Sequence, residues 1–216
     1  MDSDSNPIRL LLAGASGAVG REVLALALAE PRVAAVVAPT RRPLPAADKL
    51  LNPVVDFTQL PEDAEWWSVD AVICALGSTI KQAGSQAAFA FVDRDLPLRI
   101  AALARAAGAG CYALNSALGA SRRGNFYLRT KAEAEAAIGV LGFPSYTIVR
   151  PSLIEAEREQ PRRGELAGVA LARVLGPLIP RRYRPVKAAR IAQALLAAVL
   201  AAPAGQQIIE SERLQD

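Results

Sequence analysis

The chain of 216 residues contains no histidine. That absence excludes a His-based catalytic triad, an imidazole metal site and a histidine proton shuttle. Cysteine is scarce: Cys74 and Cys111 each lie inside an apolar run, with no zinc-ligand spacing. They read as small buried hydrophobes of a reducing compartment. Aromatics make up 5% of the chain and do not interleave with the basic residues, so the net charge of +4 is poor evidence for nucleic acid. No apolar run is long enough to span a bilayer: residues 191–204 are too few and contain Gln193 and Pro203. The start, Met1-Asp2-Ser3-Asp4-Ser5-Asn6-Pro7, is polar and acidic, unlike a signal peptide. The expectation is a cytoplasmic protein with no membrane span. Internal repeats and low-complexity linkers are also missing.

Hydrophobic residues, by contrast, reach 52% against 21% charged, enough for a sizeable core. The organising stretch is Leu10-Leu11-Leu12-Ala13-Gly14-Ala15-Ser16-Gly17-Ala18-Val19-Gly20. An apolar run short enough for a buried strand leads into glycines on a three-residue beat, then into an Ala-rich helical pattern over residues 19–29. A glycine turn between a parallel strand and a helix binds a pyrophosphate. Gly14 permits the tight turn, Gly17 lets the backbone approach the phosphates, and Gly20 lets helix and strand pack closely. The helix N-terminus adds free N–H groups and the positive end of its dipole. A P-loop is excluded, because no Gly-Lys-Ser/Thr follows the glycines.

Further apolar runs at residues 33–38, 52–57, 70–75, 110–115 and 145–149 alternate with helical patterns. The strongest helix is at residues 126–141, and another at 84–107 is open to a break near Pro97. This order predicts an α/β fold with a doubly wound parallel sheet. Residues 60–68, with Trp66 and Trp67, read as a short helix or turn packed on the sheet. The last third is more charged. It predicts a short helix at 166–175, a Pro/Arg loop, an amphipathic helix at 186–200 and a final strand at 206–210. The chain is expected to form one domain over residues 1–216. Residues 152–185 and parts of 186–216 would make a small helical lobe over the carboxyl ends of the strands, where ligands of open α/β sheets sit.

Two clusters carry chemistry. After the second strand, where NAD sites place an acidic residue, stand Thr40, Arg41 and Arg42, with no carboxylate before Asp48. A guanidinium pair matches a 2′-phosphate, so NADP(H) is expected over NAD(H). Tyr127 and Lys131, four residues apart, share one face of the strong helix. A phenol is a weak acid, and a neighbouring ammonium favours its ionised form, which suits acid–base catalysis. Lys131 could also donate to nucleotide ribose hydroxyls, and Ser116 could hold a substrate carbonyl by its hydroxyl.

With the glycine turn, Ser116, Tyr127 and Lys131 in place, the chain resembles the short-chain dehydrogenase/reductase superfamily in its extended or atypical branch. Cys74-Ala75-Leu76-Gly77-Ser78-Thr79, Val92-Asp93-Arg94-Asp95, Asn115-Ser116-Ala117-Leu118-Gly119-Ala120, the stretch 127–135, Val149-Arg150-Pro151 and Arg162-Arg163-Gly164-Glu165 are similar, in order, to the Tat-interacting oxidoreductase-like proteins. The resemblance runs from about residue 8 to 210 and implies a Rossmann fold that binds NADPH. It implies pyrophosphate contacts at Ser16, Gly17, Ala18 and Val19, with Arg41 and Arg42 at the adenosine phosphate. It also implies cofactor contacts at Leu76, Gly77, Ile154 and Arg162, proton transfer by Tyr127, and Lys131 as its partner. The order Pro161, Arg162, Arg163 departs from that of the relatives.

Two functions follow. One is a reductase that passes hydride from NADPH to a carbonyl or quinone-like small molecule; the other is an NADPH-binding regulatory scaffold with little turnover. The Ser116, Tyr127 and Lys131 set favours chemistry. The arginines at 122, 123, 162, 163, 181, 182 and 184 read as a solvated rim rather than a nucleic-acid surface. No metal site is expected, and monomer and homodimer both stay open.

Overall fold

The computed structural model describes residues 7–155 and 180–215. In chain order they form β1 (Ile8–Ala13), α1 (Ala18–Ala29), β2 (Val33–Val37), β3 (Leu50–Leu51) and β4 (Ala71–Cys74). Next come α2 (Ile80–Ala83), α3 (Gln86–Ala90), a π-turn (Phe91–Asp95), α4 (Leu96–Ala106), β5 (Cys111–Asn115), α5 (Phe126–Gly139) and β6 (Ser145–Arg150). The chain ends with β7 (Ile154–Glu155), β8 (Val186–Lys187), α6 (Ala188–Ala201) and β9 (Gly205–Glu210). Seven strands make one sheet in the order β3-β2-β1-β4-β5-β6-β9, every pair parallel. β7 and β8 pair separately.

The inner strands are buried on both faces, so they read as unbroken apolar runs. Leu10 and Leu12 of β1 point into one layer with Ile73, Val23 of α1, and Ile191 and Leu195 of α6. Leu11 and Ala13 point into the other, with Val72, Tyr112, Trp67, and Ile100 and Ala104 of α4. The chain winds outward from β1 in one direction, then returns through β4 in the other. The crevice at that reversal, at the carboxyl ends of β1 and β4, is where such sheets bind ligands.

Two elements differ from expectation. The strand expected at 52–57 is displaced: β3 is Leu50–Leu51, followed by an isolated bridge between Thr40 and Val54. Pro53 has no N–H to give a ladder, and the Asn52 amide instead donates to Ala38 O at 2.5 Å and Thr40 Oγ1 at 2.8 Å. The long helix over 84–107 does not break at Pro97, which sits in the first turn of α4. The irregularity lies just before it, where Leu96 N–H bonds Phe91 O and opens a π-turn. A proline ring clashes with the carbonyl four residues back; here that carbonyl belongs to Asp93, inside the widened turn. The helix expected at 166–175 lies outside the described residues.

Candidate functional site

The glycine turn opens the site. Gly14 has φ +91°, the left-handed region, and a Cβ there would meet the Ala75 and Leu76 backbone at 2.8 Å. A Cβ on Gly20 would fall 1.9 Å from Gly14 O, so α1 can approach the turn only because residue 20 has no side chain. Gly17 is the N-cap of α1, makes no side-chain cap, and is followed by no acidic residue in the first turn. The leading amides of a twelve-residue helix are therefore left for an outside anion. This is a cradle that fits a nucleotide pyrophosphate.

From that turn a cleft of about 640 Å³ runs along the carboxyl edge of the sheet. Among expected site residues, Gly17, Ala18, Val19, Gly77, Ser116, Tyr127, Lys131 and Ile154 line it. Gly14 and Gly20 shape the turn beneath, Ser16 is exposed within it, and Leu76 is half-buried against the second core layer. Arg162 lies outside the described residues.

Asn125 caps α5, its side chain accepting from Leu128 N–H at 3.0 Å. This cap sets the phase that sends Tyr127 and Lys131 to the cleft. The Tyr127 ring rests 5.4 Å from that of Phe89, which is fully buried. Lys131 is 6% exposed, and its Nζ lies 2.7 Å from Asp93 Oδ1. Burial pulls the Lys131 ammonium downward, but the charges of Asp93 and Tyr127 outweigh it, and the net direction is up. Asp93 Oδ2 accepts from both the N–H and the hydroxyl of Ser78 at 2.9 Å. Lys131 is thus one half of a buried ion pair, not an isolated cation beside the phenol.

Ser116 is buried at the end of β5 and donates its hydroxyl to Glu135 Oε1 at 2.5 Å. Arg150 holds the same carboxylate with two bonds, at 2.6 and 3.0 Å, and reaches on to Glu210 at 3.1 Å. The one proton of Ser116 is committed inward, so donation to a carbonyl requires release of Glu135. Beside it, the Asn115 amide is 7% exposed, lines the cleft, and leaves its Oδ1 without a partner.

Arg41 and Arg42 are exposed in the loop after β2 and outside the cleft lining. The loop is pinned by Thr40 Oγ1 donating to Arg42 O at 2.6 Å and Leu44 N–H donating to Asn52 Oδ1 at 2.7 Å. Asp93, Ser78, Asn115 and Glu135 had no role on sequence grounds. The signal for Glu135 was its spacing: residues 127, 131 and 135 recur every four positions along one face. Burial pushes the Cys74 and Cys111 thiols upward, as for inert core groups. Among the described residues no helix is long and apolar enough to cross a membrane, and no metal-ligand cluster occurs.

A nucleotide-binding turn at the switch point of a doubly wound parallel sheet, with tyrosine and lysine in the same cleft, defines a Rossmann-type oxidoreductase fold. Residues 14–202 match the model of a family described as NAD(P)H-binding, and the chain belongs to that family, within the atypical short-chain dehydrogenases/reductases. It is 35% identical to Protein HTATIP2 of Rattus norvegicus over 162 residues, 72% of this chain and 66% of that one, just under two thirds of its length. It is 34% identical to Protein fmp52, mitochondrial, of Emericella nidulans, over 76% of this chain and 75% of that protein. The mitochondrial location in that protein's name differs from the cytoplasmic one expected for this chain. Among solved structures, MoeE5 in complex with UDP-glucuronic acid and NAD shares the fold at TM-score 0.73 and 16% identity, covering 94% of this chain and 76% of that chain. The PhqB reductase domain from Penicillium fellutanum does so at TM-score 0.67 and 19% identity, covering 97% and 68%.

Proposed function

We propose that this chain is an NADPH-dependent oxidoreductase acting on the carbonyl of a small aldehyde, ketone or quinone-like molecule. What supports the reading is one observation: a single cleft is lined by the start of α1, by Ser116, and by Tyr127 and Lys131. The bound nicotinamide nucleotide would supply the hydride. The turn at Gly17 and the uncapped amides of α1 would hold its pyrophosphate, Arg41 and Arg42 its 2′-phosphate, and Lys131 its ribose hydroxyls. Tyr127 would give the carbonyl oxygen its proton. With its own proton on Glu135, Ser116 offers lone pairs to the cleft, and these would accept from the product hydroxyl.

The test follows NADPH consumption against a panel of aldehydes, ketones and quinones, with Tyr127→Phe as the comparison. The expected result is turnover in the native chain that falls about 100-fold or more in the variant, the scale of general acid catalysis. NADPH binding with no turnover on the whole panel would favour the scaffold. Turnover indifferent to Tyr127→Phe would remove the proposed mechanism.

A further inference from the structure

We propose that, on the reductase reading above, the carbonyl substrate carries an uncharged, apolar body, and that Leu153 and Tyr183 are the side chains that select it.

The two ends of the cleft differ in character. At the β1 end, the uncapped amides of α1 face an anion. The β6 end lies two strands further along the sheet, beyond β4 and β5. There the cleft is walled by Leu118, Pro151, Leu153, Ile154 and Tyr183. Backbone bonds hold this wall in place. Leu118 N–H donates to Pro151 O and Val186 N–H to Leu153 O, both at 2.8 Å. The Ser152 hydroxyl donates to Arg184 O, which also accepts from Gln215 Nε2 at 2.8 Å. Tyr183 is thereby carried to the end of β6 by fixed backbone.

The side chains on that fixed backbone are nevertheless uncovered: Leu153 is 73% exposed, Tyr183 55% and Ile154 36%. One exposed leucine needs no explanation. Three large apolar side chains on the wall of one cleft mark a surface that a ligand covers. The patch is continuous with the cleft that holds Ser116 and Tyr127. Its occupant is therefore the rest of the molecule whose carbonyl meets Tyr127.

Charge gives the second half of the argument. Among the described residues that line the cleft, the only charged side chains are Asp93 and Lys131, and they neutralise each other at 2.7 Å. The arginines at 181, 182 and 184 flank Tyr183 without lining the cleft, and the Arg182 guanidinium lies over the Tyr183 ring at 5.1 Å. A carboxylate on the substrate body would lose water at this wall and gain no counter-charge.

The experiment measures, by ligand-observed NMR with NADPH present, the Kd of butyramide, hexanamide and octanamide, which carry a carbonyl that is not reduced. Affinity in the native chain is expected to rise about threefold for each added methylene, the scale of burying one CH₂. Leu153→Asn combined with Tyr183→Ser should lose most of that rise. Both positions are exposed, so the double variant is expected to fold, and the native series decides alone if it does not. Adipamic acid, which matches hexanamide in length but ends in a carboxylate, should bind about tenfold more weakly or worse. A flat series in the native chain, a rise retained in the double variant, or tighter binding of adipamic acid overturns the proposal. A steep series with no turnover on the aldehyde, ketone and quinone panel removes the reaction and leaves the ligand class standing. Turnover with a flat series does the reverse.

Discussion

Ser116 gives its hydroxyl proton to Glu135 across 2.5 Å, joining the end of β5 to the third cleft-side turn of α5. Arg150 completes the link, with a side chain only 19% exposed. Glu135→Ala would leave that guanidinium with Glu210 alone, which sits 37% exposed at the rim. Removing one partner of such a pair is more harmful than removing both, because a charge is then stranded. The expected loss for Glu135→Ala is about 3 kcal/mol in urea unfolding at neutral pH. Glu135→Leu with Arg150→Met should recover at least half of it. If the paired replacement is as damaging as the single one, the network matters through its shape rather than its charge.

The arginine pair makes a separate prediction. Arg41 and Arg42 are exposed on a loop that Asn52 holds in place. Changing both to Ala should weaken NADPH binding about 10- to 100-fold, the scale of one or two charge-assisted hydrogen bonds, while leaving NADH nearly untouched. Fluorescence titrations with the two nucleotides check this. Discrimination that survives the double change puts the phosphate site elsewhere.

Glycines that look alike in the sequence should behave differently. Gly20→Ala pushes a methyl to 1.9 Å from Gly14 O, against backbone that cannot give way. It is expected to lower unfolding stability by about 3 kcal/mol or prevent folding. Gly84 caps α2 at φ +86° and has no heavy atom within 4 Å of an added Cβ. There Ala pays only for the left-handed backbone, about 1 kcal/mol. Equal effects at the two positions would show that crowding at Gly20 is relieved by movement of α1.

The parts of this architecture written in local pattern were legible from the residues. The cores of β1 and β4 are apolar on both faces, β5 is apolar up to Asn115, and β6 sets Ser145 and Thr147 among Tyr146, Ile148 and Val149; with the glycine beat marking the first turn, the parallel sheet follows from pattern alone. What was not legible depends on partners distant in sequence. Asp93 reads as one charge in a helical stretch, and only the packing of the π-turn against α5 brings it to Lys131, 38 positions on. In the sequence Ser116 reads as a free hydroxyl, because its acceptor, Glu135, arrives from another element. The strand expected at 52–57 shrinks to one bridge at Val54, where Pro53 O accepts from Thr40 N–H at 3.0 Å, while the Asn52 side chain hooks back to Ala38 O and Thr40 Oγ1, a choice that apolar spacing does not reveal.

The buried phenols set the behaviour in alkali. Burial first, and then neighbouring negative charge, pushes Tyr112 and Tyr146 above the ordinary tyrosine range near 10. The thiols of Cys74 and Cys111 are raised from about 9 in the same sense. As pH climbs past 9 and then 10, the unfolded chain releases these protons while the folded chain keeps them. The unfolded state then binds fewer protons, so stability falls with pH, by about 1.4 kcal/mol per pH unit for each group so divided. Below pH 8 none of the four contributes. Tyr146→Phe removes one group and should make the decline above pH 10 shallower by about that amount. At neutral pH it should lower stability by about 1 kcal/mol, through loss of the 3.1 Å bond from the Tyr146 hydroxyl to Glu135 O. Urea unfolding at pH 7, 9, 10 and 11 measures both effects, and the two stability curves are expected to converge as pH rises. Parallel curves would mean that Tyr146 ionises as readily in the folded chain as in the unfolded one, which its burial beneath α5 forbids.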